Sequence, residues 1–208
     1  MKLLSFFRLD RPGFGAVVDD GIIDLTGRLP GQPHSLRTAI AEGQLASAMA
    51  YVDGRVSELS TADVIFLPPI TDPAKILCIG LNYAKHQAET GRPDVDHPTI
   101  FTRFADSQVG HLQPMIKPDQ SVRFDYEAEL AVVIGQGGRF ISEDDALSHV
   151  AGYACYNDGS IRDWQRHTSQ FTPGKNFPGT GAFGPYLVTP DEVGDYRKLP
   201  IESRLNGE

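Results

Sequence analysis

Residues 124–135, FDYEAELAVVIG, constrain the fold more than any other stretch of the chain. Tyr126, Ala128, Leu130 and Val132 alternate with Asp125, Glu127, Glu129 and Ala131, the two-residue period of a strand with one face turned to a core. Its second half, LAVVIG, is apolar enough to be expected largely buried. Shorter runs of the same character recur along the chain. FGAVVDDGIIDL reads as two strands around the hairpin signal Asp19-Asp20-Gly21. KILCIGLNY suits a buried strand, and GYACYND and AFGPYLVT suit two more, while ESRLNGE begins a further element at the end. Helical spacing is confined to short segments. SLRTAIAEGQLASAMAYV, from Ser35 to Val52, has an N-cap candidate in Ser35 and a weak point at Gly43. AKHQAETG supplies a turn or two ended by Gly91, SEDDALSHV a helix capped by Ser142, and GSIRDWQRH another short helix. No regular βαβ alternation appears. The expected fold is therefore mainly β with short helices (α+β), a mixed β-roll or β-sandwich and not a doubly wound sheet.

Three prolines in VIFLPPITDPAK mark an extended linker, since proline removes a donor and disfavours helix before it. The expected division is a small N-terminal β-rich domain over 1–70 and a second domain over 71–208. With 19 Lys and Arg against 27 Asp and Glu, the formal net charge is −8, which repels phosphate backbones and argues against a nucleic-acid partner. An acid-binding site in such a chain must carry its own local positive charge. No apolar run has the length of a membrane span, and Arg8, Asp10 and Arg11 interrupt the only candidate signal-peptide core. Cys78 and Cys155 lie far apart inside apolar segments, as expected of two buried, reduced thiols in a cytoplasmic protein.

Against this background a few polar residues stand out. Glu127 and Glu129, two apart on a strand, leave the same face at the mouth of an apolar run, where paired negative charge calls for a cation. A strand whose outer face is simply wet explains them equally well. Asp158 ends GYACYND where the chain turns into a helix; it is either an N-cap or a third carboxylate brought to the pair by the fold. Three oxygen ligands suit a hard cation, Mg²⁺ with Mn²⁺ or Ca²⁺ as alternatives. His86 and Glu89, three apart, pair an imidazole with an orienting carboxylate, or else form an exposed helix pair without consequence. Arg162 and Gln165 follow Asp158 at i+4 and i+7, on one helical stripe. Lys175 stands in TPGKNF, where lysine is usually solvated and where Asn176 and a missing glycine rule out a phosphate loop. GQGGRF is a turn rather than a nucleotide fingerprint, and the remaining histidines show no ligand spacing.

Taken together, GLNYAKHQAE at 80–89, FDYEAELAVVIG at 124–135 and GYACYNDGSIRDWQ at 152–165 resemble the fumarylacetoacetate hydrolase family. FTPGKNF at 171–177, GPYLVT at 184–189 and the closing LNGE continue the match in the same order. The resemblance implies a β-roll fold, a homodimer, and Glu127, Glu129 and Asp158 as metal ligands. It implies His86 and Glu89 as the lid pair that prepares a water or moves a proton, and Arg162, Gln165 and Lys175 as the lining of a site for a small 2-oxo acid. The implied reaction is hydrolysis of a carbon–carbon bond in an acylpyruvate-type 1,3-dioxo acid, in catabolism of aromatic or related compounds. Decarboxylation of a 2-oxo diacid and isomerisation of an unsaturated one share the same enolate and stay open, as does a folded but non-catalytic metal or ligand binder. Asn82 stands where eukaryotic fumarylacetoacetases have a further acidic ligand, which favours a three-carboxylate, bacterial-type site. Family members run on well beyond NGE, so the expectation is a C-terminally truncated member, less stable and poorly active on its own.

Overall fold

A computed structural model describes residues 1–83 and 96–208. His86 and Glu89, with the helical turns expected around them, lie outside the described residues.

The chain opens as an antiparallel meander of β1 (Lys2–Arg8), β2 (Arg11–Val18) and β3 (Gly21–Asp24). Leu9 and Asp10, with φ of +50° and +58°, close the first hairpin in the left-handed region that matches strand twist. The second hairpin turns at Asp19 and Asp20, where the sequence places it. The single helix expected over 35–52 is two, α1 (Leu36–Ala41) and α2 (Leu45–Val52). Ser35 caps the first by accepting from the Thr38 amide, and Gly43, at φ +69°, breaks the pair apart. After β4 (Leu59–Ser60), part of the proline-rich segment becomes a strand, β5 (Ile65–Leu67), antiparallel to β1 with Phe6 opposite Phe66. The prolines stand outside its hydrogen-bonded residues, so the linker expectation fails only over those three positions.

The second half contributes β6 (Ile76–Gly80) and β7 (Thr99–Arg103), which form a two-stranded ribbon, and β8 (Gln108–Val109). Next come β9 (Phe124–Asp125), β10 (Ala128–Ile134), β11 (Val150–Asp158) and β12 (Ser160–Ile161). Helices α3 (Arg162–Gln165) and α4 (Thr172–Lys175) precede β13 (Gly181–Phe183), β14 (Leu187–Val188) and α5 (Pro190–Val193). Ten strands join in one curled sheet, ordered β4-β3-β2-β1-β14-β11-β13-β8, with β10 also paired to β11 and β5 to β1. The sheet runs from one half of the chain into the other through β1 and β14, and Leu3, Phe14, Ile23 and Leu25 share a core with Ala151, Ala154, Phe183 and Leu187. The fold is mostly β with short helices, as the sequence pattern requires.

Four local expectations need correction. The strand expected over 124–135 lapses at Tyr126 and Glu127, because β9 pairs with β12 while β10 pairs with β11. LAVVIG is less buried than its composition suggests: Val132 is 47% and Ile134 61% exposed, and Leu77 and Ile79 on β6 are likewise exposed. SEDDALSHV forms turns and a 3₁₀ segment over Ala146–His149 instead of an α-helix, although Ser142 does accept from the Asp145 amide. Finally, Cys155 is exposed; only Cys78 is partly enclosed, and burial, with Asp158 nearby, pushes its thiol up to about 12. Among the described residues no helix is long and apolar enough to cross a membrane.

Candidate active site

Two ladders converge where β11 ends. The β9–β12 pair sets Asp125 opposite Ser160 and Phe124 opposite Ile161. Between β9 and β10 the Glu127 carbonyl accepts from the Asp158 amide at 2.9 Å, and the Glu127 amide donates to Asn157 Oδ1 at 3.2 Å. The lapse in the strand is thus held by one backbone contact and one to the Asn157 side chain, which bring Glu127 beside Asp158.

Helix α4 delivers the cation. Its partner α3 lies so close that a side chain at Gly174 would meet the Gln165 backbone at 2.3 Å, so this crossing needs glycine. Asn176 pins the other end, donating to Thr102 O and Thr172 O and accepting from the Phe104 amide. Lys175 is consequently not solvated as its loop-like sequence suggests; it is 1% exposed. Its Nζ lies 2.6 Å from both Glu127 Oε2 and Asp158 Oδ2 and 5.0 Å from the centre of the Phe101 ring. A buried ammonium is tolerated only with such partners.

Asp158 has a second cation. Arg103, 2% exposed at the end of β7, donates from Nη1 to Asp158 Oδ1 at 2.6 Å. On the other side, Arg162 Nη2 lies 2.7 Å from Glu127 Oε1 and 2.7 Å from Asp125 Oδ2, while Nη1 donates to Gln165 Oε1 at 3.0 Å. The result is a chain of alternating charge: Arg103, Asp158, Lys175, Glu127, Arg162, Asp125. Burial alone would raise the Glu127 carboxyl, but Lys175 and Arg162 outweigh it and hold the group below its ordinary value.

Glu129 stands outside this chain. Burial pushes its carboxyl up to about 7, with Glu127 and Asp158 adding like charge, against a hydrogen bond from Tyr83 that favours the ionised form. The Tyr83 hydroxyl in turn accepts from the Leu130 amide at 3.2 Å. Among the described residues no cation pairs with Glu129.

The six expected residues described here are therefore gathered in one site: Glu127, Glu129, Asp158, Arg162, Gln165 and Lys175. Three participants escaped the sequence reading. In the sequence Asp125 is only a strand position, Tyr83 only part of the GLNY motif, and Arg103 carries no motif at all. The signal for Arg103 was an arginine inside the apolar strand TIFTRF. Among the described residues no three Asp, Glu, His or Cys side chains already converge on a common point, because the Lys175 ammonium lies between Glu127 and Asp158. The donor set nonetheless fits a hard cation. It is all oxygen, no cation among the described residues pairs with Glu129, and Glu127 Oε2 and Asp158 Oδ2 already share a cationic nitrogen.

Comparison with known proteins places this geometry. The sequence profile of the fumarylacetoacetate (FAA) hydrolase C-terminal domain matches residues 75–208. A mitochondrial oxaloacetate tautomerase fahd2 of Xenopus laevis is 40% identical over 216 residues, spanning all of this chain and 68% of the frog protein. The Homo sapiens protein FAHD2A, also named an oxaloacetate tautomerase, is 40% identical over 90% of this chain, which spans 61% of it. A putative HpcE protein from Mycobacterium smegmatis superposes with a TM-score of 0.79 at 31% identity, over 94% of this chain and 68% of that one. Maleylpyruvate hydrolase from Sphingobium sp. SYK-6, solved with manganese(II) and pyruvate, gives 0.73 at 25% identity, over 94% and 69%. With residues 75–208 matched by the family's profile and the whole chain aligned to a relative 40% identical to it, this chain belongs to the fumarylacetoacetate hydrolase family.

Proposed function

We propose that the chain is a divalent-metal-dependent enzyme that moves a proton next to the carbonyl of a small 2-oxo diacid, interconverting its keto and enol forms, with His86, oriented by Glu89, as the expected group that takes the proton and returns it. The observation that carries this reading is Lys175, a fully enclosed ammonium between Glu127 and Asp158 with Arg162 beside them. Glu127, Glu129 and Asp158 would hold the cation, Mg²⁺ or Mn²⁺, which when bound supplies Lewis-acid polarisation of the 2-oxo group. Arg162 and Gln165, already hydrogen-bonded to each other, orient a substrate carboxylate. Lys175 supplies positive charge where the carbonyl oxygen turns enolate, in a place from which water is largely excluded. The similarity to relatives named oxaloacetate tautomerases supports the diacid as substrate class.

A second reading, hydrolysis of a carbon–carbon bond in an acylpyruvate-type acid, is supported by the likeness to the maleylpyruvate hydrolase that holds manganese and pyruvate. It passes through the same enolate and adds a nucleophilic water, for which His86 and Glu89 are the expected base and its orienting carboxylate. A cytoplasmic homodimer is part of both readings, although the frog and human relatives are named mitochondrial.

The test is to strip the purified protein with a chelator, verify the metal content, and assay oxaloacetate tautomerisation and acylpyruvate cleavage with and without added Mg²⁺ or Mn²⁺. We expect both rates to vanish on stripping, tautomerisation to return with metal, and cleavage to return more weakly. Full turnover by verified metal-free protein would end both readings. Cleavage outpacing tautomerisation would exchange their order.

A further inference from the structure

Asp158 is held at both oxygens, but by two very different cations. On Oδ2 sits Lys175, one ammonium on a flexible stem, which an incoming ion can displace. On Oδ1 sits Arg103, whose guanidinium is fixed from every side. Besides donating to Asp158 Oδ1, its Nη1 donates to Gly159 O at 3.0 Å. Its Nη2 donates to Thr180 Oγ1 at 3.0 Å and approaches Ser107 O at 3.5 Å, and its Nε donates to Ser107 Oγ at 3.2 Å. The planar fork thereby ties together the ends of β7, β11 and β13 and the segment before β8.

The surroundings are shaped for this arginine. Gly181 lies opposite Asp158 in the β11–β13 ladder. A Cβ there would stand 2.6 Å from Arg103 Nη2 and 2.4 Å from the Tyr156 hydroxyl. The Tyr156 ring lies under the guanidinium at 5.7 Å, and its buried hydroxyl finds no hydrogen-bond partner among the described residues.

We infer that Arg103 is a positioning residue that makes Asp158 a one-oxygen ligand, locking Oδ1 away so that Oδ2 alone faces the cation. This rests on the reading above that Glu127, Glu129 and Asp158 hold a divalent ion. Arg103 has a second effect in the same state: when an ion takes the place of Lys175 on Oδ2, the carboxylate stays charge-paired and cannot rotate to chelate through both oxygens. Hydrogen bonds behind a ligand of this kind are worth about 10–100-fold in metal affinity.

The experiment measures Mn²⁺ binding to the whole chain by calorimetry, and the ligand's denticity from the carboxylate stretches in an infrared difference spectrum. Wild type is compared with Arg103→Met, Arg103→Lys and Thr180→Val. Arg103→Met should lose about 10–100-fold in affinity and shift the stretch separation toward a two-oxygen carboxylate. Arg103→Lys should recover part of the affinity, because it restores charge without the fork. Thr180→Val removes one anchor of the guanidinium together with a hydrogen bond to Phe177 O, so it should lower the metal-free unfolding midpoint and weaken Mn²⁺ binding by a few fold. The accompanying shift in the carboxylate stretch separation is the signature that loss of general stability does not produce. If Arg103→Met does not fold, the other two variants decide. Wild-type affinity and an unchanged infrared signature in folded Arg103→Lys and Thr180→Val would overturn the inference. Failure of the wild-type chain to bind Mn²⁺ would overturn the metal reading itself and this inference with it, so the two failures are told apart.

Discussion

The apolar core of the first 25 residues and the site around Asp158 both hide side chains from water, by opposite means. In the meander, Leu3, Leu4, Ile22, Ile23 and Leu25 are fully enclosed, and their stabilisation comes from apolar area that has no preferred direction. At the end of β11 the enclosed side chains are Arg103, Lys175 and Asp158, and each is tolerable only because the next has opposite charge. An apolar core forgives a change of shape-compatible residue. An ionic one forgives nothing that alters a charge, because the loss of one partner strands another. The difference between the halves is therefore one of tolerance more than of burial.

A shape-conserving substitution in each half exposes this difference most strongly. Asp158→Asn keeps the outline and removes the charge, leaving Arg103 and Lys175 enclosed without their shared partner. The expected loss is about 3–5 kcal/mol. Leu25→Met, equally conservative in volume, should cost less than about 1.5 kcal/mol. Urea unfolding of the two variants measures both, and equal shifts in midpoint would dissolve the comparison. Lys175→Ala comes next and reads out on catalysis. It should lower kcat by about 10²–10³, since the fixed charge is needed as the enolate forms. Mn²⁺ affinity should be kept or raised, because Glu127 Oε2 and Asp158 Oδ2 lose a competing cation. Loss of metal together with kcat would place Lys175 among the groups that build the cation site instead.

The same contrast decides how much was legible in the sequence. The meander was readable because strand alternation and hairpin turns are local: Asp19-Asp20-Gly21 announces its turn, and Ser35 its helix cap. The site residues were recognisable as types and by family resemblance, but their connections were not. Nothing in the spacing of Arg103, Asp158 and Lys175 says that they meet, since β7 belongs to a ribbon separate from the sheet of β11, and Asn176 at the end of α4 ties that helix to β7. The error over Glu127 has a similar origin. The alternation that suggested one strand through 124–135 is real, but β9 and β10 have different partners, and the junction between them falls at this residue. The loop sequence alone reads Lys175 as solvated, and only the family resemblance puts it in the site, because a Gly-Pro loop looks exposed until α3 is packed against Gly174.

The smallest effect separates Glu129 from its charge-paired neighbours by pH. Its carboxyl titrates at about 7 in the folded chain against an ordinary 4.5, so the folded state binds this proton more tightly than the unfolded state. Stability must then fall as pH rises between those values: the unfolded chain has already released the proton while the folded chain still holds it. Below about 4.5 both states are protonated and the group contributes nothing; above about 7 both are ionised and its full cost is present. Glu127 has the opposite sign. Its lowered value contributes stability above the ordinary carboxylate range that is lost only as pH falls through its folded value, outside the window of Glu129. Glu129→Gln fixes the neutral form and should remove the decline between pH 4.5 and 7, making the metal-free protein more stable at neutral pH. The gain is expected on the order of 1 kcal/mol, since the carboxylate is partly open to solvent and its neighbours' charges are screened there. Unfolding midpoints of the variant and wild type across this range measure the difference directly. Parallel curves would mean that Glu129 is already neutralised by a partner outside the described residues, and the contrast with Asp158 would then lie in which cation each carboxylate has, not in whether it has one.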